Sequence, residues 1–216
     1  MHFTKFSFDD YLKRVAILIG NSLGNSAIMG VTSHFGYDVN RIKEGECIFN
    51  DAVNTNEKQN QAQEKKVQLH NERCELHLAV KKKYMKILQI SRIAFDKDLI
   101  IRKALRLDGA REVTLDLWIN QVSLFTNHLL GESKWLSVLK NFGVVRKDIH
   151  DLLTELEKLR SVTMECEIAK NEAKQFTVEK HEKLKELQEW VSDYLKIAKI
   201  ALDDQPEMYK KLIMDN

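Results

Sequence analysis

An all-α fold is expected for this chain, and three observations carry the expectation. Proline occurs once, at Pro206, and glycine only eight times in 216 residues, leaving few of the turn residues on which β-structure depends. Apolar residues recur at three- and four-residue spacing along most of the chain. The sequence also aligns with itself, without a gap, when Phe35 is laid on Phe142. Over residues 6–108 this gives 21 identities, concentrated at apolar and turn positions.

The internal match divides the chain into two helical repeats, residues 1–109 and 110–216. Phe35-Gly36 falls on Phe142-Gly143, Leu23-Gly24 on Leu130-Gly131, and Leu88, Ile90, Ile93, Ala94 and Asp96 on Leu195, Ile197, Ile200, Ala201 and Asp203. Each repeat opens with an amphipathic helix, residues 8–22 and 115–130. Ser7 and Thr114 stand as N-caps, and Phe8, Tyr11, Leu12, Val15, Leu18 and Ile19 form one face. Gly24 and Gly131 end these helices. A short helix follows at 25–33 and 132–141, closed by Phe-Gly in both repeats. A long helix without proline spans 38–95 and 145–202. Asp96 and Asp203 end it and are expected to cap a last short helix, 98–107 and 205–214, with Pro206 in an early helical position where it is tolerated.

A 58-residue helix is about 87 Å long, and the segment between the two rods is too short to bring the chain back along that length. The expected solution is two long antiparallel helices forming a coiled-coil stalk with a small helical lobe at each end. Residues 7–50 with 184–216 would make one lobe and 76–160 the other. The expected seam of the first rod is Phe49, Ala52, Asn56, Gln63, Val67, His70, Cys74, His77, Tyr84, Leu88 and Ser91. In the second rod it is Leu152, Leu156, Leu159, Thr163, Lys170, Thr177, Leu184, Leu187, Val191 and Leu195. Both seams read as apolar at the ends and polar in the middle. Trp118, Trp135 and Trp190 are expected as lobe-core anchors, and Gly20 and Gly24 as a point of close helix approach.

Charge excludes one class of partner. The chain carries 34 basic and 32 acidic residues, well mixed, for a net charge of +2, which is no footprint for nucleic acid. Lys81, Lys82 and Lys83 point in different directions on a helix and read as a solvated face. Cys47, Cys74 and Cys166 are odd in number and lack CxxC spacing, so a reducing compartment, the cytoplasm, is expected. Residues 15–31 have the look of a signal-peptide core. Asp9 and Asp10 precede them, Asn21 and Asn25 interrupt them, and their counterpart at 122–138 lies deep in the chain, so they read as a folded helix pair.

No P-loop, GxGxxG, HExxH or GxSxG is present, and no cofactor or small-molecule substrate is indicated. The paired carboxylates Asp9-Asp10, Glu155-Glu157 and Asp203-Asp204 fit helix starts and exposed faces. His70, Cys74 and His77 share one helix face at metal-ligand spacing. If residue x faces about 240−x, Cys74 lies opposite Cys166, in reach of a four-ligand site or a disulfide. The second repeat has Thr177, His181 and Leu184 there, so this cluster is no part of the shared plan, and the plainer reading is polar seam positions.

The expectation is therefore a non-catalytic helical scaffold or protein-interaction protein that also associates with itself. The alternative is a membrane-active, pore-forming-like protein that uses residues 15–31. A third is a metal-binding helical protein using His70, Cys74 and His77.

Overall fold

The computed structural model describes residues 6–214. Residues 1–5 of the first repeat and 215–216 of the second lie outside the described residues. Within them there are eight helices and no strand: α1 (Phe8–Gly24), α2 (Ser26–Ser33), α3 (Val39–Ala94), α4 (Leu99–Ala104), α5 (Leu115–Gly131), α6 (Ser133–Lys140), α7 (Arg146–Ala201) and α8 (Pro206–Ile213). The shift that lays Phe35 on Phe142 also carries the starts of α1, α2, α3 and α4 onto those of α5, α6, α7 and α8. The long helices α3 and α7 have 56 residues each and pack together.

Local chemistry accounts for the boundaries. The Ser7 hydroxyl accepts from Asp10 N–H and donates to the Asp10 carboxylate, a closed N-cap for α1. Asn25 has extended backbone, so it breaks the chain between α1 and α2, and its side chain accepts from the N–H groups of Ala27 and Ile28. Thr114 and Glu132 occupy the same places before α5 and α6 without making a side-chain cap bond. Gly36 and Gly143 have φ of +85° and +78°, the left-handed conformation that lets Tyr37 and Val144 N–H reach back to Thr32 and Leu139 carbonyls at 3.1 Å.

The short last helix corrects the sequence reading. Asp98, not Asp96, caps α4, accepting from Ile100 and Ile101 N–H at 3.0 Å. Asp96 faces Arg102 instead, at 3.3 Å, and Gln205 stands at the cap of α8 without a side-chain bond. Helix α4 ends at Ala104 rather than 107, because Arg106 turns left-handed at φ +47°.

The chain divides into two compact units. Met1–Glu64 with Asn171–Asn216 form one, described from Phe6 to Met214, and Lys65–Lys170 the other. Each therefore combines segments from both halves of the chain, residues 1–109 and 110–216. In the first unit, α1, α2 and α8 pack on the early part of α3 and the late part of α7. The core contains Tyr11, Val15, Leu18, Ile28, Ile42, Leu187, Tyr194 and Leu212. Asn21 on α1 donates to the carbonyls of Lys211 (2.8 Å) and Met214 (3.0 Å), closing the end of α8. Here α3 and α7 meet through Lys183 and Asp51 (3.4 Å), and the Trp190 ring lies directly on Gly45.

In the second unit, α4, α5 and α6 pack on the late part of α3 and the early part of α7. The core contains Val80, Tyr84, Leu88, Trp118, Phe125, Leu129, Ile149 and Leu156. The Trp118, Tyr84 and Phe125 rings meet edge to face at 5.3–5.9 Å. His128, at the position matching Asn21, places Nδ1 2.9 Å from the Ala104 carbonyl at the end of α4. Here α3 and α7 are joined by Glu72 with Lys158 (3.2 Å) and by Lys83 with Glu155.

Several contact-face expectations need correction. Val67, His70, Cys74 and Lys170 are exposed, while Lys66, Leu69, Arg73 and Leu76 are half-buried and Val80 is buried. The inward line of α3 thus runs Ala62, Lys66, Leu69, Arg73, Leu76, Val80. This is a strict three-four alternation that passes through two charged residues, Lys66 and Arg73, both half-buried. On α7 the middle of the buried line is Val162, Cys166, Ala169 and Ala173, small and apolar rather than polar. Gly20 and Gly24 have open space beside them, and the close approach falls at Gly45 instead. Trp118 and Trp190 are buried as anchors, and Trp135 packs half-buried against its core.

Candidate functional site

The His/Cys cluster is separated by the helix surface that was expected to unite it. His70 and Cys74 stand exposed, with Cys74 Sγ 3.7 Å from His70 Nε2 and an Arg73 guanidinium nitrogen 3.1 Å from His70 Nδ1. His77 turns inward and meets Trp118, ring centroids 4.8 Å apart. Burial there holds its pKa below the usual histidine range, and Lys81 and Arg73 act in the same direction. Cys166 is buried, which pushes its thiol pKa up, and all three cysteines are free. A depression of about 370 Å³ lies among Lys66, His70, Arg73, Cys166, Glu167 and Lys170. Among the described residues no group of three or more His, Cys, Asp or Glu is placed to hold a metal ion.

The other shifted groups are held by packing and ion pairs. Arg102 bonds both Asp108 oxygens, which lowers the Asp108 pKa. Lys210 donates to one Glu207 oxygen at 2.8 Å and lowers the Glu207 pKa. Tyr11 is pushed up to about 12 by burial, and Tyr194 is raised by burial against its hydrogen bonds to Ser22 and Thr32. The paired carboxylates at Asp9-Asp10 and Asp203-Asp204 are exposed.

A second depression, of about 290 Å³, is better built. It lies in the second unit between Lys83, Lys86, Ile87 and Ile90 of α3 and the α6–α7 turn with the first turns of α7, from Phe142 to Asp151. Val144 and Ile87 are buried in its floor, and Phe142 is half exposed at its rim. Asp148 caps α7 by accepting from Val145 N–H at 2.9 Å. Lys83 is engaged by Glu155, whereas neither Lys86 nor Asp151 has an ion-pair partner among the described residues.

In the first unit the matching positions carry aromatic rings, and the Trp190 indole lies over Gly45, in the place Leu152 takes in the second unit. In the register that pairs Phe35 with Phe142, the residues Val144, Ile87 and Lys83 correspond to Tyr37, Tyr194 and Trp190. Those three rings are buried and in mutual contact, with centroids 5.0–6.3 Å apart. The sequence reading missed this site, although its signal was available as three aliphatic or lysine positions facing three aromatic ones across the repeat.

Residues 15–31 cover the end of α1 and all but the last two residues of α2. Among the described residues no single helix is long and apolar enough to cross a membrane, but α1 and α2, bent by 88° at Asn25, pass that test together by length and composition. Their apolar residues Val15, Leu18, Ile19 and Ile28 are buried in the first unit's core.

No protein-family model, curated protein or solved structure matches this chain.

Proposed function

We propose that this chain is a non-catalytic helical scaffold that binds protein partners and itself. In this reading it is built from two copies of one unit, residues 1–109 and 110–216, whose long helices form an antiparallel coiled-coil pair. The observation that carries the proposal is the apolar surface left on the long helices. Met164 and Ile168, four residues apart on one face of α7, are 64% and 56% exposed, a pattern that favours packing of another helix. Duplication is supported by the constant spacing between matching helix starts and by buried positions that recur in pairs, such as Val15 with Val122, Ile42 with Ile149 and Ala62 with Ala169. The titratable groups displaced from their usual range among the described residues are displaced by core burial or surface ion pairs. Three free thiols fit the cytoplasm.

Sedimentation over a concentration series tests the proposal. The expected result is a species heavier than the 25.2 kDa monomer that Met164→Glu with Ile168→Glu returns to monomer. A wild-type chain that stays monomeric at several hundred micromolar removes the self-association. Small-angle scattering of the same samples tests the expected elongation.

A membrane-active role is the second reading, favoured by the apolar composition of the bent α1–α2 pair. It requires the first unit to open and release residues 15–31 from its core. Leakage of dye from anionic liposomes would support it, and no leakage together with no co-sedimentation would remove it.

A further inference from the structure

We propose that the turn from α3 into α4, with Leu99 and Ile100 at its tip, is a docking surface for a membrane leaflet that carries anionic lipid. This surface is separate from residues 15–31, whose apolar side chains Val15, Leu18, Ile19 and Ile28 are buried in the first unit's core. It is separate also from the α7 face at Met164 and Ile168. Three observations lead to it.

First, two large apolar side chains stand out next to each other. Leu99 is 71% and Ile100 82% exposed, on the first turn of α4. Phe95, Leu105 and Leu107 are buried and Ile101 packs on the core, so the inward face of this segment is complete without them. Side chains this exposed protrude rather than line a groove. A bilayer accepts such a protrusion without a matching concavity, whereas a stable protein partner needs a complementary face of about 800 Å². Second, the charge left over at the turn is positive. Arg102 holds Asp96 at 3.3 Å and bonds both Asp108 oxygens, and Asp98 is engaged by the N–H groups of Ile100 and Ile101. Lys97, Lys103 and Arg106 are exposed and have no ion-pair partner among the described residues. Lys103, three residues after Ile100 and four after Leu99, shares their face of α4. Each cation close to an anionic leaflet raises affinity about fivefold. Third, the matching turn in the first unit has neither feature. In the register that pairs Phe35 with Phe142, the residues Lys97, Leu99 and Ile100 correspond to Asp204, Pro206 and Glu207. There Glu207 holds Lys210, the counterpart of Lys103, at 2.8 Å. With isoleucine in place of that glutamate, Lys103 is left unpaired beside an apolar tip.

The probes are vesicles of phosphatidylcholine, with and without phosphatidylserine. The full chain should co-sediment with the mixed vesicles, half-bound at about 0.1–1 mM lipid, and should bind the neutral ones roughly tenfold less or weaker still. Ile100→Glu, which recreates the pairing of Glu207 with Lys210, should weaken binding to mixed vesicles about tenfold, and so should Lys103→Glu. Leu99→Ala with Ile100→Ala keeps every charge and should weaken it about threefold or more. Val178→Glu adds the same charge at an exposed position of α7 in the first unit and should leave binding within about twofold. Circular dichroism checks the fold of each variant, and Lys103→Glu, a change at an exposed position, carries the test if another does not fold. Ile100→Trp reads insertion directly. Brominated acyl chains should quench its added fluorescence but not that of the wild-type chain, in which Trp118 and Trp190 are buried and Trp135 packs on the core. No binding to mixed vesicles up to about 5 mM lipid, well above the expected midpoint, overturns the proposal. So does equal binding to neutral vesicles, or binding that Ile100→Glu and Lys103→Glu leave unchanged. Release of trapped dye by a chain whose binding ignores these variants points to residues 15–31 and overturns it as well. Sedimentation of the protein without lipid is read separately, so loss of this surface and loss of the scaffold reading are told apart.

Discussion

Replacing Gly45 by alanine should destabilise this protein, although alanine is the better helix former. Gly45 lies well inside α3, where glycine costs about 0.5–1 kcal/mol relative to alanine. A Cβ added there would meet Cζ2, Cε2 and Cη2 of Trp190 at separations that real Cβ atoms do not show. The indole has little room to yield, because it is 9% exposed and held against Tyr37 and Tyr194. Overpacking of this kind costs about 1–3 kcal/mol. With overlap this severe the cost falls in the upper part of that range, about 2–3 kcal/mol, so against the helix-propensity gain the net loss is about 1–2.5 kcal/mol, or roughly 2–10 °C in Tm for a chain of this size. The assay is urea unfolding followed by circular dichroism. Trp190→Leu removes the obstacle, and in that background Gly45→Ala should stabilise by about 0.5–1 kcal/mol, a reversal of sign. The other unit has Leu152 and Lys83 at the matching positions, so Gly45→Leu combined with Trp190→Lys should fold better than Gly45→Leu alone. A Gly45→Ala chain as stable as wild type would refute the reasoning.

Four further outcomes follow from the same structure. Asn25→Ala should cost about 0.5–2 kcal/mol by uncapping α2, and Glu132→Asn, at the matching uncapped start of α6, should add about 0.5–1 kcal/mol, both read from urea midpoints. Ser22→Ala should cost about 1–2 kcal/mol by removing the 2.7 Å bond to the Tyr194 hydroxyl, and a double-mutant cycle with Tyr194→Phe should show coupling of about 1 kcal/mol. In native protein Cys47 and Cys74 should react quickly with a thiol reagent, with Cys166 following only on unfolding, as counted by absorbance. Burial lowers the folded-state pKa of His77 below its unfolded value near 6.5, so above that value the residue leaves stability unchanged. Stability falls as pH drops from there to the folded pKa, and His77→Gln should flatten the decline in midpoints measured between neutral and mildly acidic pH.

The helices were legible because their signals are local. Ser7 with Asp10, the Phe-Gly pairs and the absence of proline inside α3 and α7 each act within a turn or two, and the observed boundaries follow them. The contact face in the middle of α3 was not legible by the same means. Lys66 and Arg73 look like solvent residues, and only packing reveals that they are half-buried while His70 and Cys74 turn out. The role of Gly45 was hidden for a related reason. Its partner Trp190 lies far along the chain in α7, and nothing near Gly45 in sequence separates it from Gly20, which has open space beside it. Asp98 was passed over because Asp96 matched the repeat, yet the cap depends on distance to the first free N–H groups rather than on correspondence between halves. The open depression beside Val144 needed both kinds of information, the correspondence and the packing of three rings in the other unit.

The hydroxyls of Ser22, Tyr194 and Thr32 in one core stand where the other core has Leu129, Ile87 and Leu139. A chain carrying two such similar helices as α1 and α5 meets a choice while it folds, since each resembles the other's fit to either bed. Placing α5 against Tyr194 would remove the Ser22 partner of its phenol, a loss of about 0.5–1.5 kcal/mol, while the Ser22 hydroxyl keeps its bond to the Leu18 carbonyl of its own helix wherever α1 docks. The Ser22–Tyr194 bond thus favours α1 over α5 in this bed, and a chain without it is expected to tell the two helices apart less well.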